Sequence, residues 1–172
     1  MIKITEDKTI ISTNAPLDLE EMKQYLRITG NQDDNLLSLL LQAAICYVEE
    51  YVGIDLSVKE IISIYKVESD MKINLSSKPV RNIVHIKILG EIEDKLTAGK
   101  DYSLENSKII IHSKIRANLI EVKYLSGVNT TPLSIKQAIM IYAGLLYDKE
   151  VINSESMEGI FMLLGPYRNY KL

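Results

Sequence analysis

The chain has 172 residues, 47% hydrophobic and 25% charged, a composition that excludes intrinsic disorder and suits one folded domain. Its net charge of −3 gives no strong field for attracting nucleic acid or an anionic membrane. The longest uncharged run, residues 35–48, is too short to cross a bilayer, which takes about 20 residues. Glu6 and Asp7 precede any apolar segment, so we expect no signal peptide, no membrane partner and a cytosolic protein.

Charge is unevenly distributed along the chain. Residues 1–60 contain 5 Lys and Arg against 11 Asp and Glu, residues 61–124 contain 11 against 8, and residues 125–172 contain 4 against 4. An acidic first third therefore precedes a mildly basic middle. Cys46 is the only cysteine, which excludes an intramolecular disulfide, and its apolar surroundings predict a buried, unreactive thiol.

The first predicted helix is short and runs from Leu19 to about Arg27. Asp18 is its expected N-cap, because a carboxylate can accept hydrogen bonds from the free amides of the first turn. Glu20 and Glu21 then place negative charge near the positive end of the helix dipole.

The second predicted helix is long, with Asp33 as its N-cap and Gly53 as the left-handed residue that ends it. Its apolar positions with helical spacing are Leu36, Leu37, Leu40, Leu41, Ala44, Ile45, Val48, Tyr51 and Val52. Leu39, Ala43 and Tyr47 are apolar but lie outside that stripe. The apolar surface is wider than one core contact requires, which predicts a second contact, within the subunit or with a neighbouring subunit. We assign these three residues to a subunit interface.

The middle of the chain changes from helical spacing to short strands. Branched residues between turn sequences predict strands at Ile61–Val67, Met71–Leu75, Ile83–Leu89, Lys108–His112 and Leu119–Tyr124. Because no long crossover helices separate them, we expect an antiparallel sheet or a small barrel.

A third long helix is predicted after Thr131 and Pro132. Two N-termini remain open for it: Thr131 as the N-cap with Pro132 in the first turn, or Ser134 and Gln137 as a capping box. A short helix from about Ser156 to Leu164 and a tail follow.

The predicted elements define an α+β fold, with a helical core of three to four helices and an antiparallel β-rich region inserted between the second and third long helices. We assign residues 1–172 to a single domain. Its segments are a helical pair at 17–53, a β-rich insertion at 60–125, helices at 131–164 and a tail at 165–172. Met140 and Ile141 widen the apolar surface of the third long helix, and we assign them to the subunit interface as well.

Residue types that carry chemistry are scarce. His85 and His112 lie in separate predicted strands without metal-site spacing, so we expect no metal and no cofactor. Residues 98–101 are similar to the end of a phosphate-binding loop, but Asp94 replaces the first glycine and Asp101 replaces the magnesium-binding hydroxyl. No pairing of a nucleophile with a base can be nominated, and we expect no enzymatic activity.

Two alternatives remain open at this point. A nucleic-acid-binding module would suit the basic middle, but carboxylates are interspersed there and few aromatic residues are available to stack on bases. A small-ligand-binding or enzymatic α+β domain would need convergent polar groups in an apolar pocket, and the sequence identifies none.

Three segments together resemble one protein family. They are residues 17–28 (LDLEEMKQYLRI) followed by 33–37 (DDNLL) and the helix ending in 47–53 (YVEEYVG), then residues 120–127 (IEVKYLSG) followed by Pro132 and 135–139 (IKQAI), and finally residues 163–168 (LLGPYR). This order is similar to the head–tail connector family of tailed bacteriophages, also called head-completion or adaptor proteins, which has relatives in gene transfer agents. The similarity extends from about Leu17 to Arg168.

The resemblance implies a structural protein, about twelve copies of which form a ring beneath the portal vertex. The implied partners are the portal protein and a tail-completion or stopper protein, with DNA passing through the ring without specific binding. The implied location is the host cytoplasm during assembly and then the virion.

The resemblance also implies that the C-terminal segment reaches the portal. This assigns portal contact to Pro166, Tyr167, Arg168 and Tyr170, and tyrosine and arginine are enriched among residues that dominate binding energy. In the alternative, Pro166 ends a helix and the tyrosines fold back onto the core.

A ring around a DNA passage should let a polyanion slide without holding it. The acidic first third supplies candidate channel-facing carboxylates at Glu20, Glu21, Asp33, Asp34, Glu49 and Glu50. We expect some of them to line the channel.

Overall fold

The computed structural model describes residues 1–11, 15–67, 72–90, 94–112, 118–149 and 152–168. The chain forms two compact units. The β unit comprises Met1–Thr13 and Ser57–Val128, and the helical unit comprises Asn14–Leu56 and Asn129–Leu172. The predicted α+β class is confirmed, with the β-rich region between the second and third helices.

Helices and strands are clearly bounded within the described residues. The helices are α1 (Leu19–Leu26), α2 (Asp34–Val52), α3 (Leu133–Tyr147) and α4 (Ser154–Leu164), and a 3-10 turn, Gly165–Tyr167, follows. The strands are β1 (Ile2–Ile10), β2 (Lys59–Lys66), β3 (Lys72–Asn74), β4 (Val80–Leu89), β5 (Asp94–Lys95), β6 (Tyr102–Glu105), β7 (Lys108–Ile111) and β8 (Leu119–Ser126). Five strands overlap predicted segments, whereas β1, β5 and β6 were not predicted.

The strands of the β unit pair antiparallel, as predicted, but they form two sheets instead of the single sheet or small barrel that was expected. Five strands form one sheet in the order β1-β2-β8-β4-β5, and three strands form the other in the order β3-β7-β6. Side chains of a strand point alternately to its two faces, so Ile120, Val122 and Tyr124 of β8 all lie on one buried face. They belong to the same core cluster as Ile61 of β2 and Ile86 of β4.

Gly127 ends β8 at a place where no other residue fits. Its φ of +117° is rarely adopted by residues with a side chain, and a Cβ atom here would lie 2.2 Å from the Ser57 carbonyl oxygen. The glycine thus lets the chain leave the sheet close to the start of β2.

The first two helices begin at the predicted N-cap residues, but only the first N-cap side chain makes capping hydrogen bonds. Asp18 caps α1, and its carboxylate accepts a hydrogen bond from the Glu21 amide. In return the Glu21 carboxylate accepts a hydrogen bond from the Asp18 amide, which completes a capping box. Asp33 is at the N-cap of α2, but its side chain makes no capping hydrogen bond. Gly53 ends α2 in the left-handed conformation, as predicted.

Neither predicted N-cap of α3 is correct. The N-cap residue is Pro132, whose carbonyl oxygen accepts the amides of Ile135 and Lys136 and which has no side-chain cap. Because proline cannot donate a backbone hydrogen bond and has a fixed φ, it can stand directly before a helix without a capping side chain. The capping box in this part of the chain belongs to α4, between Asn153 and Ser156.

The helical unit has its own apolar core. Leu17 and Leu56, outside the helices, are buried in this unit. The buried apolar residues of the helices are Met22 of α1; Leu37, Leu41, Ala44, Val48 and Val52 of α2; Ile135, Ala138, Ile139 and Ala143 of α3; and Met157, Ile160 and Leu164 of α4. In the part of the chain that the structure describes, no helix is both long and apolar enough to span a membrane.

Candidate interaction surfaces

One face of α2 is apolar and open to solvent. Leu36 and Leu39 are 45% and 63% exposed, and Ala43 and Cys46 are exposed on the same face because the four lie three or four residues apart. The predicted burial of Cys46 is wrong, since the buried stripe of α2 passes through Ala44 and Val48 instead. We call Leu36, Leu39, Ala43 and Cys46 the α2 face.

Tyr47 is held by neighbours in its own helical unit. Its ring stacks on the ring of Tyr142, with centroids 4.4 Å apart, and on that of Tyr51, at 6.5 Å. Burial, together with the two neighbouring tyrosines, raises the pKa of Tyr47. Met140 and Ile141 are half-buried on α3. A subunit contact by Tyr47, Met140 or Ile141 stays a prediction.

The stack of aromatic rings continues towards the C-terminus. Tyr51 stacks on Phe161 of α4, with centroids 5.1 Å apart, and the Arg168 Cζ atom lies 5.0 Å from the Tyr51 centroid. Four rings from three helices and one guanidinium therefore form a continuous series, in which the cation is attracted to the ring face. Sequence patterns did not predict this series, because the partners are far apart along the chain.

The predicted portal-binding residues differ in their environments. Pro166 is exposed and Tyr167 half-buried in the 3-10 turn that extends α4, and Arg168 is exposed beyond its contact with Tyr51. Tyr170 lies outside the described residues.

α4 has an exposed surface next to this tail. Met162 is 75% exposed, and Phe161 is 36% exposed at the end of the aromatic series. With Ser154, Glu155 and Glu158 these two residues line a shallow groove. Apolar side chains beside two carboxylates suit a partner segment with apolar and basic residues.

Three of the predicted channel carboxylates lie within ion-pair distance of a lysine in the helical unit, namely Glu21 and Asp34 at 2.9 Å and Glu20 at 3.8 Å. The Glu21 carboxylate accepts a hydrogen bond from the Lys136 ammonium at 2.9 Å. This bond, together with the hydrogen bond from the Asp18 amide, lowers the pKa of Glu21. The ammonium of the buried Lys23 lies 2.9 Å from the Asp34 carboxylate.

Two others accept hydrogen bonds. The Tyr147 hydroxyl donates to the Asp33 carboxylate at 2.8 Å, which raises the pKa of Tyr147. The Leu56 amide donates to Glu49 at 2.7 Å, just beyond the end of α2. The carboxylates of Glu20 and Glu50 are the more exposed of the six, the Glu20 side chain by 74%.

The charge asymmetry of the sequence follows the division into units. The β unit contains 14 Lys and Arg against 11 Asp and Glu, a balance of +3, and the helical unit contains 6 against 12, a balance of −6. The acidic first third and basic middle thus belong to different folded units. The helical unit would repel DNA at short range more strongly than the β unit.

A polar cluster around Glu6 joins β1 to β2 and to the segment that follows β3. The Glu6 carboxylate accepts hydrogen bonds from Lys3 and Ser63, both at 3.2 Å, and from the Ser76 hydroxyl. Burial acts to raise the pKa of Glu6, but the bonds from Ser76 and Lys3 and the charge of Lys8 outweigh it and lower the pKa. No sequence pattern predicted this cluster, since its members come from three distant segments.

The two histidines have separate, local partners. His85 Nε2 lies 2.9 Å from the Glu121 carboxylate, and His112 Nε2 lies 3.0 Å from the Ser103 hydroxyl. Among the described residues no three His, Cys, Asp or Glu side chains are grouped as a metal site would require.

The chain belongs to the head completion protein family, whose family model matches residues 16–161. No curated protein sequence matches the chain. The fold is also similar to that of chains in three solved structures, each with low sequence identity.

A chain in the neck of an empty gene transfer agent particle, computed with C6 symmetry, is 17% identical with a TM-score of 0.79, over 98% of this chain and 97% of that one. A chain in the neck of a native gene transfer agent particle, computed with C12 symmetry, is 16% identical with a TM-score of 0.77, over 98% and 97%. A chain in the virion of a native gene transfer agent particle is 17% identical with a TM-score of 0.73, over 96% of each chain.

Proposed function

We propose that this protein is a non-enzymatic head–tail connector subunit, about twelve copies of which form a ring between the portal and the tail. The observation that carries the proposal is the family match over residues 16–161, supported by a fold shared along almost the whole chain with neck proteins of particles averaged with C6 and C12 symmetry. The protein would act in the host cytoplasm during assembly and then in the virion.

The α2 face is the best candidate for contact between copies. Leu36, Leu39, Ala43 and Cys46 form a row of exposed apolar or weakly polar side chains on a helix whose other side is already buried. Exposed apolar surface of this kind is typical of an interface between subunits. The same contact would include the accessible parts of three half-buried side chains, Tyr47, Met140 and Ile141.

The C-terminal segment is the proposed contact with the portal, through Pro166, Tyr167, Arg168 and Tyr170. The contact of Arg168 with Tyr51, inside the series of stacked rings, would hold the start of this segment in place, which lowers the entropy lost on binding. The remaining surface would receive a tail-completion or stopper protein.

DNA would pass through the ring without specific binding. The preferred channel-facing carboxylates are the two exposed ones, Glu20 and Glu50, and the Glu20 side chain is 74% exposed although it lies 3.8 Å from Lys23. The other four are half-buried and bonded inside the helical unit: Glu21, Asp33, Asp34 and Glu49. The net charge of −6 on the helical unit supports a wall that does not retain a polyanion.

The single thiol tests the α2 face directly. Cys46 should react with a maleimide in the dissociated protein and at least about tenfold more slowly in the assembled ring, because neighbouring copies would cover it. The matched control is a Cys46→Ser, Lys100→Cys variant, whose thiol lies on an exposed turn of the β unit and should react equally in both states. Equal reactivity of Cys46 in rings and dissociated protein would exclude the α2 face as the interface.

The connector function has its own test. A protein that stays monomeric with the portal, or that binds DNA or a small ligand as a monomer, would contradict the connector function.

A further inference from the structure

The five-stranded sheet has two outer edges that no strand covers among the described residues. β1 forms one edge, and eight of its nine residues are exposed. At the other edge β5 pairs only with Lys87 and Ile88, so the outer edge of β4 is open from Val80 to His85. Unpaired amide and carbonyl groups along an edge form a template for a further strand.

The two edges are complementary in direction. β1, β2, β8 and β4 are antiparallel to their neighbours in turn, so β1 and β4 run in opposite directions. A rotation that sets copies side by side with their sheets aligned therefore brings β1 of one copy antiparallel to β4 of the next. A head-to-tail ring needs two such different and complementary surfaces, because each copy presents one to each neighbour.

The faces of the two strands restrict the register. On β1 the residues on the buried side of the sheet include Lys3, Glu6 and Lys8, which pair with Tyr65, Ser63 and Ile61. On β4 they include Val80, Ile83 and Ile86, which pair with Ser126, Tyr124 and Val122. Opposite residues of paired strands must share a face. One face-matched register sets Lys8 opposite Val80, Asp7 opposite Asn82 and Glu6 opposite Ile83.

In this register opposite charges meet. Asp7 of one copy would lie beside Arg81 of the next copy, and Arg81 is the additional residue at the register shift in β4. Both side chains are exposed, and neither forms an ion pair with another described residue. Opposite charges on neighbouring strands stabilise the pairing, whereas like charges there oppose it.

We propose that β1 of one copy pairs with the outer edge of β4 of the next copy, with Asp7 and Arg81 as the charge pair at the junction. This rests on the proposed function, because it requires copies of the chain in a ring. The sheets of neighbouring β units would then be continuous around the ring.

A disulfide at the junction tests the pairing. In a Cys46→Ser background, Asp7→Cys with Asn82→Cys should give a ladder of cross-linked multimers when rings are oxidised, because directly opposite residues are close enough for a disulfide. Asp7→Cys with Lys100→Cys is the matched control and should give no ladder. No ladder from Asp7→Cys with Asn82→Cys, in samples that native mass spectrometry identifies as rings, would overturn the pairing and leave the connector function standing. Wild-type protein that forms no ring with the portal would overturn both.

Charge reversal gives an independent readout. Asp7→Arg alone and Arg81→Asp alone should each reduce the fraction of protein in rings, and the double variant should restore it. Lys100→Glu, an exposed reversal on the same unit, should leave ring formation unchanged. Full ring formation by both single variants would contradict the proposal.

Discussion

The guanidinium of Arg168 lies over the ring of Tyr51, 5.0 Å from its centroid. Tyr51 is in the last turn of α2 and Arg168 directly follows the 3-10 turn after α4, so the contact joins the start of the tail to an earlier helix. Such a contact at an exposed site contributes only about 0.5–1 kcal/mol. It can therefore orient the tail without making the fold depend on it.

Deletion of residues 165–172 should separate stability from attachment. The truncated protein should keep its circular dichroism spectrum and lose at most about 1 kcal/mol of unfolding free energy, because Pro166 and Arg168 are exposed. It should fail to co-purify with the portal. Retained portal binding would show that the tail is not the portal contact, and a loss of several degrees in melting temperature would place the tail in the core.

The ion pair between Lys23 and Asp34 should matter for folding. Lys23→Met leaves the Asp34 carboxylate without its main partner and should cost about 1–3 kcal/mol, less than a fully buried pair because the Asp34 side chain is 30% exposed. Urea denaturation measures this loss. Glu20→Gln is the control, since the Glu20 carboxylate lies 3.8 Å from Lys23 and is mostly exposed. If Lys23→Met is as stable as the wild type, the pair is not a structural element.

Glu6 should make the β unit sensitive to acid. Its pKa in the folded state lies below the ordinary value of 4.5, so its charged form stabilises the fold. That contribution is fully present above pH 4.5 and disappears as the pH falls through the folded-state pKa. Glu6→Gln should therefore be less stable than the wild type at neutral pH, and the difference should shrink in acid. Thermal melts across this range measure it; a pH-independent difference would show that the Glu6 charge does not stabilise the β unit.

The assembled ring should bind DNA weakly. At about 50 mM salt, where charge attraction is little screened, a wall that includes Glu20 and Glu50 should give no tight binding. Replacing both residues with lysine should create binding that weakens steeply with salt, by about one unit of log slope for each phosphate that the new lysines neutralise. Tight, salt-dependent binding by the wild-type ring would favour the nucleic-acid-binding alternative.

The helices could be predicted closely because their signals are local. Asp18 and Gly53 mark helix ends through chemistry within a few residues, and the helical spacing of α2 and α3 places their cores. The role of Asp33 could not be predicted, because its partner Tyr147 is 114 residues away. The burial of Lys23 could not be predicted either, because lysine is rarely buried unless the fold brings a partner to it.

β1 shows why part of the sheet was missed. Its sequence, IKITEDKTI, has charged residues at its centre and lacks the apolar alternation of a half-buried strand. An edge strand exposed along most of its length needs no such pattern, because its stability comes from backbone pairing with β2. Cys46 was misplaced for the opposite reason: α2 is apolar around most of its circumference, so sequence patterns did not distinguish its buried face from its exposed one.

The most direct test of the connector function is native mass spectrometry of the protein mixed with its portal. Twelve copies of a 19.5 kDa chain have a mass of about 234 kDa, and the connector function predicts that this mass adds to that of the portal and is lost when residues 165–172 are deleted. A protein that remains a 19.5 kDa monomer beside an unchanged portal would contradict it.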